Sequence, residues 1–151
     1  MITGSKGAGK STVFNLIRQE NPFPAVFSFA LRGKDGYPNQ IILTREESDE
    51  KVIIAQREQN RIKAICDVLD QTASTMLERL CYEPSEWVGI DEIGFIEGES
   101  LIYGQMLHQI FDRKRVIAVL RKQELPFLDR FKERQDCFLI DIDEWEEWLL
   151  F

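Results

Sequence analysis

The sequence predicts one α/β domain spanning residues 1–151, a three-layer sandwich in which helices cover both faces of a mostly parallel sheet and an antiparallel hairpin is inserted early. Three observations predict it. Helical stretches alternate with short apolar runs; several of those runs are apolar throughout, as strands buried on both faces must be; and no repeat, low-complexity tract or proline-rich linker divides the chain. With 44% hydrophobic and 30% charged residues, a chain of 151 residues is large enough to bury a core of its own.

Residues 10–19 read as a helix that ends at the break Asn21-Pro22-Phe23-Pro24. Residues 25–31 read as a buried strand, and Arg32-Gly33-Lys34-Asp35-Gly36 as the turn that returns the chain into a second strand at 40–44. A short strand at 51–55 follows. From about 58 to 81, Ile62, Ile65, Cys66, Leu69, Ala73, Met76, Leu77 and Leu80 recur at spacings of three and four, which predicts one long amphipathic helix with that stripe in the core. Beyond it the pattern gives a strand at 87–90, a helix at 99–111, a strand at 115–120, a helix at 124–134 and a strand at 137–140. A short helix then starts at Asp143, read as an N-cap with Glu146 three residues on.

The first dozen residues carry the chemistry. Gly4-Ser5-Lys6-Gly7-Ala8-Gly9-Lys10-Ser11 fits G-x-x-x-x-G-K-[ST] at every fixed position, after a short apolar start and before a helix. Only Met1, Ile2 and Thr3 precede it, so its strand is expected to be short. Glycines let successive backbone N–H groups curl around an anion, and the helix directs its positive dipole end to the same place. The segment from Gly4 to Thr12 is therefore expected to cradle a nucleoside triphosphate such as ATP. Lys10 is placed at the β and γ phosphates, Ser11 at Mg²⁺, and Thr12 beside the ligand.

A second acidic signal completes the pattern. Trp87-Val88-Gly89-Ile90 runs into Asp91-Glu92, and an acid at the end of an apolar strand is what a hydrated Mg²⁺ needs opposite the loop. Asp91 is the expected metal residue and Glu92 the group that orients or deprotonates the attacking water. Arg121 follows the strand at 115–120, at the carboxyl edge where ligands of parallel sheets bind, and is expected to meet γ-phosphate charge. Asp91-Glu92-Ile93-Gly94 also fits the D-x-x-G of GTPases, but the chain has no Asn-Lys-x-Asp for reading guanine.

Composition bounds the remaining classes. A net charge of −7 and a pI near 4.8 disfavour nucleic acid as a partner, since backbone affinity needs clustered Lys and Arg. No apolar run approaches the roughly 20 residues of a membrane helix. The start Met1-Ile2-Thr3-Gly4 leaves no room for a signal core, so a cytoplasmic protein, most simply a monomer, is expected. Cys66, Cys81 and Cys137 form no Cys-x-x-Cys pair and are expected as buried, reduced thiols. His108 has no sequence partner and is assigned no role; Trp87, Trp145 and Trp148 are read as packing.

With Gly4 to Thr12, Asp91-Glu92-Ile93-Gly94, Arg121-Lys122 and Pro126-Phe127-Leu128 in this order, the chain resembles the small P-loop nucleoside-triphosphatases first described from thermophiles. The resemblance implies a RecA-like mixed sheet and slow hydrolysis of ATP, GTP, CTP and related triphosphates. By position it sets Lys10 and Ser11 on the phosphate and Mg²⁺ residues, and Asp91 and Glu92 on the acidic pair. Where that family has Lys-Met-Glu-Leu next, this chain has Phe95-Ile96-Glu97-Gly98, so only Glu97 matches. Its hairpin also lacks the family's Thr-x-Glu before the arginine.

Three readings follow. The chain is a nucleoside triphosphatase; or a nucleotide or small-molecule kinase with Arg32, Arg45, Arg121 and Arg130 as acceptor clamps; or a nucleotide-binding regulatory module with vestigial hydrolysis.

Overall fold

The computed structural model describes residues 1–45 and 49–145. Among these, eight strands form one sheet in the order β5-β4-β3-β2-β6-β7-β1-β8. The strands are β1 (Ile2–Thr3), β2 (Ala25–Arg32), β3 (Pro38–Arg45), β4 (Lys51–Glu58), β5 (Arg61–Ala64), β6 (Trp87–Ile93), β7 (Arg115–Leu120) and β8 (Ile140–Asp141). Pairings from β2 through β6, β7 and β1 to β8 are parallel. Those among β2, β3, β4 and β5 are antiparallel.

The inserted hairpin is thus larger than the sequence predicts. It is an antiparallel arm in which β4 runs to Glu58 and turns back through Gln59 and Asn60, both at positive φ (46° and 64°), into β5. A two-residue turn with both positions left-handed matches the twist of a hairpin. The helix expected from about 58 therefore begins only at Cys66. Ile62 and Ile65 fit helical spacing with Leu69, but residues 61–64 also alternate between exposed and half-buried, and pairing with β4 decides for the strand. From there α2 (Cys66–Val68), a π-helical turn (Leu69–Ala73) and α3 (Ser74–Cys81) run on continuously, and Leu69, Ala73, Met76, Leu77 and Leu80 are fully buried as the stripe requires.

The helices divide between the faces. α3, α4 (Leu101–Arg113) and α5 (Pro126–Lys132) share a core with Val88, Ile90, Ala118 and Leu120. On the other face α1 (Lys10–Glu20) sets Phe14 with Phe23, Ala25 and Val119. Ser100 caps α4 by accepting from the Tyr103 amide. β8 holds only the end of the strand expected at 137–140. The turn after it starts at Ile142, capped by Asp141 rather than Asp143, because the Asp141 carboxylate accepts the Asp143 amide. Glu146 and Trp148 lie outside the described residues.

Cysteine burial departs from expectation. All three thiols are free, but Cys81 alone is buried; Cys66, at the first turn of α2, is exposed and Cys137 is half-buried. Trp87 is also not core: it lies at the start of β6, 42% exposed, with the Arg115 guanidinium over its ring.

Gly89 sits on β6 beneath the rings of Phe14 and Phe23. A Cβ there would lie 2.5 Å from the Phe23 ring and 2.6 Å from that of Phe14, both already packed edge to face at 5.8 Å. Gly89→Ala is expected to lower stability by about 1–3 kcal/mol, read from the urea midpoint. An unchanged midpoint would show that the two rings move aside freely.

Candidate active site

The phosphate-loop sequence leaves β1, which lies between β7 and β8, and leads into α1. Gly7 (φ 80°) and Gly9 (φ 95°) are left-handed, and a Cβ at either would meet no atom within 4 Å. The conformation, not crowding, demands glycine at these positions. The Lys10 ammonium, 9% exposed, donates to the carbonyls of Gly4 (3.0 Å) and Ser5 (2.9 Å), so the loop closes on its own lysine.

Asp91 lies near the end of β6, paired with Phe27 on β2 and Val119 on β7. The ladder is irregular beyond it: Ile93 pairs with Leu120, leaving Glu92 as the extra residue. The Ser11 hydroxyl donates to an Asp91 carboxylate oxygen at 3.2 Å, joining the first turn of α1 to β6 across β7. Burial pushes the Asp91 carboxyl up to about 6; the Ser11 bond and the Lys10 charge pull the other way, and the Glu92 charge adds to the rise.

Above this contact opens a cavity of about 680 Å³, within the size range of small-molecule sites. Gly4, Lys6, Gly7, Gly9, Lys10, Ser11 and Thr12 line it from the loop, Glu92 and Arg121 from the ends of β6 and β7, and Lys122 and Gln123 from the segment after β7. Asp91 sits beneath, reached through Ser11. Ser5 and Ala8 do not line the cavity. Ser5 turns away to the far end of the chain, and the Ala8 amide is spent on the Ser5 carbonyl at 3.2 Å.

Arg121 stands where the strand-end argument puts it. Its amide donates to the Ile93 carbonyl at 2.9 Å, its Nε lies 3.4 Å from Glu92 Oε1, and its guanidinium lies 5.6 Å from the centre of the Phe95 ring. The other arginines offered as acceptor clamps are elsewhere. Arg32 donates to the Gly36 carbonyl within its hairpin, Arg45 is paired with Glu83, and Arg130 lines a separate hollow beside His108. His108 itself stacks flat on Phe131, with centroids 4.3 Å apart.

Sequence reasoning missed two features. Asp143, read as a helix cap, accepts the Ser5 amide (3.0 and 2.8 Å) and the Ser5 hydroxyl (2.9 Å). Lys122 donates to both Asp143 (2.8 Å) and Asp141 (2.7 Å). The Lys122 ammonium holds the Asp143 carboxyl below its ordinary value, and the two acids in turn raise Lys122. Residues 138 apart in sequence announce such a contact by no spacing rule; the available signal was Asp-x-Asp directly after the last apolar run. The second is the role of Glu97, which the sequence offered only as the one match to the family's Lys-Met-Glu-Leu: it is 4% exposed, and burial pushes its carboxyl up to about 7.

A family model described as NTPase matches residues 1–148. The chain belongs to the NTPase family. Nucleoside-triphosphatase THEP1 of Thermotoga maritima is 25% identical over 160 residues, covering 95% of this chain and 86% of the relative. A protein of the same name from Thermotoga sp. strain RQ2 is 31% identical over 77 residues, half of this chain and 44% of the relative. The crystal structure of THEP1 from the hyperthermophile Aquifex aeolicus shares the fold with a TM-score of 0.71 at 19% identity, covering 96% of this chain and 91% of that one. Among the described residues of this NTPase, no helix is long and apolar enough to cross a membrane.

Because burial raises Asp91 from 3.8 to about 6, its neutral form is favoured by folding. That contribution is complete below the unfolded value of 3.8 and is lost as pH rises through about 6. Without ligand, wild type should lose on the order of 1–3 kcal/mol more than Asp91→Asn between pH 4 and pH 8, read from urea unfolding at each pH. Parallel curves would show that the buried carboxyl is not perturbed.

Proposed function

We propose that this NTPase converts nucleoside triphosphate and water to nucleoside diphosphate and phosphate in a Mg²⁺-dependent reaction with little preference among bases. The observation that carries this reading is one cavity lined by Lys10, Ser11, Glu92 and Arg121, with Asp91 held under it by Ser11.

The residues fit Mg²⁺. Ser11 and Asp91 are hard oxygen donors, and two protein ligands suit an ion that keeps several waters and binds phosphate oxygens. Asp91, whose charge is disfavoured by burial, gains a compensating cation there. When bound, the ion neutralises charge on the β and γ phosphates.

The chain supplies the rest. Amides around Gly7, Gly9 and Lys10 hold the phosphates at the start of α1, and Lys10, leaving the carbonyls of Gly4 and Ser5, meets the β and γ oxygens. Glu92 orients the water and accepts its proton as the oxygen–Pγ bond forms and the bond from Pγ to the bridging oxygen breaks. Arg121, with Lys6 across the cavity, meets the charge on the departing phosphate. Lys122 and Gln123 close the remaining side. Among the described residues that line the cavity none carries an aromatic ring, which supports broad base acceptance. Hydrolysis is favoured over transfer to an acceptor because Arg32, Arg45 and Arg130 do not line this cavity. Three free thiols suit the reducing cytoplasm.

Phosphate release measured with Mg²⁺ and ATP, GTP, CTP and UTP in turn should give rates within about tenfold of one another, abolished by a chelator. Lys10→Ala and Glu92→Gln should each lower kcat at least about 100-fold. Undiminished release from Lys10→Ala would take the loop out of the chemistry.

A further inference from the structure

Glu97 is a charged group buried for no purpose yet assigned. It begins a single 3₁₀ turn (Glu97–Glu99) just before α4, flanked by buried Ile96 and close to fully buried Tyr103, whose hydroxyl feels its charge. Its Oε2 accepts the Gly94 amide at 2.8 Å. A carboxylate in such surroundings is costly unless an acceptor is needed at that point.

Gly94 is where the irregular end of β6 is tied down. Two residues before it lies Glu92, displaced from the ladder; beside it, the Ile93 carbonyl accepts the Arg121 amide. A Cβ on Gly94 would lie 3.6 Å from both Glu97 Oε2 and Arg121 Cδ, so the glycine is packed between the acid and the arginine. Phe95, the next residue, presents the ring under the Arg121 guanidinium. Glu92, Gly94, Phe95, Glu97 and Arg121 line one small hollow of about 90 Å³ that shares Glu92 and Arg121 with the phosphate cavity.

We propose that Glu97 is a positioning residue for hydrolysis: by holding the Gly94 amide it sets the β6-end turn that presents Glu92 to the attacking water and Phe95 to Arg121. Glu97 touches no substrate; it acts through the turn. The phosphate loop, on the opposite wall, is independent of it, so nucleotide binding stands without Glu97 while the chemical step does not. This rests on the assignment of Glu92 proposed above.

Three substitutions, compared with wild type and Glu92→Gln, separate the roles. Glu97→Gln keeps an oxygen at the Gly94 amide and should retain most of kcat. Glu97→Asp withdraws that oxygen by one methylene and should lower kcat about fivefold or more with KM within about twofold; Glu97→Ala should lower it further. Circular dichroism and thermal melting certify the folded fraction of each, and Glu97→Asp keeps the test decisive if Glu97→Ala does not fold. A folded Glu97→Asp with wild-type kcat, a loss expressed only in KM or melting temperature, or a Glu97→Gln as impaired as Glu97→Asp would overturn the proposal. If Glu92→Gln hydrolyses normally, it is the reading of Glu92 that fails.

Discussion

The contact between Ser11 and Asp91 is the constraint around which the site is built. It joins the first turn of α1 to the end of β6, although the loop's own strand is β1 and β7 runs between them. Such a bridge forms only if the three strands are parallel and end at the same level, so that loop, acid and arginine rise from one edge of the sheet. The cost is a carboxylate that burial pushes up to about 6. That carboxylate does not itself line the cavity; it meets it through Ser11, which does.

Each wall of the cavity is secured by different means. The loop is held on one side by its lysine and on the other by Asp143, which grips Ser5 and is itself held by Lys122. The opposite wall depends on the ends of β6 and β7, where Arg121 spans from the Ile93 carbonyl to Glu92 and Phe95. Cations gather around this cavity, although the chain as a whole is acidic. A net charge of −7 thus coexists with a local concentration of Lys6, Lys10, Arg121 and Lys122.

How much of this the sequence reveals depends on the distance over which each feature is encoded. Gly7, Gly9, Lys10 and Ser11 are legible because backbone conformation and helix start are local. The places of Asp91 and Arg121 are legible because parallel neighbouring strands bring their carboxyl ends to one edge of the sheet. β5 is not, since residues 61–64 satisfy helical and strand periods together, and the left-handed turn Gln59-Asn60 and the pairing with β4 decide between them. The contacts of Asp143 and Glu97 were missed for another reason. Both bind backbone amides, of Ser5 and Gly94, and a side chain that serves a distant or irregular stretch of backbone leaves no periodic trace.

The most direct measurement of the central claim is a crystal structure with Mg²⁺ and a non-hydrolysable triphosphate. The account predicts the phosphates along the amides between Gly7 and Ser11, the γ phosphate facing Glu92 and Arg121, and the ion about 2.1 Å from Ser11 Oγ with Asp91 beside it. A triphosphate bound outside this cavity, or an ion that touches neither Ser11 nor a water held by Asp91, would contradict it.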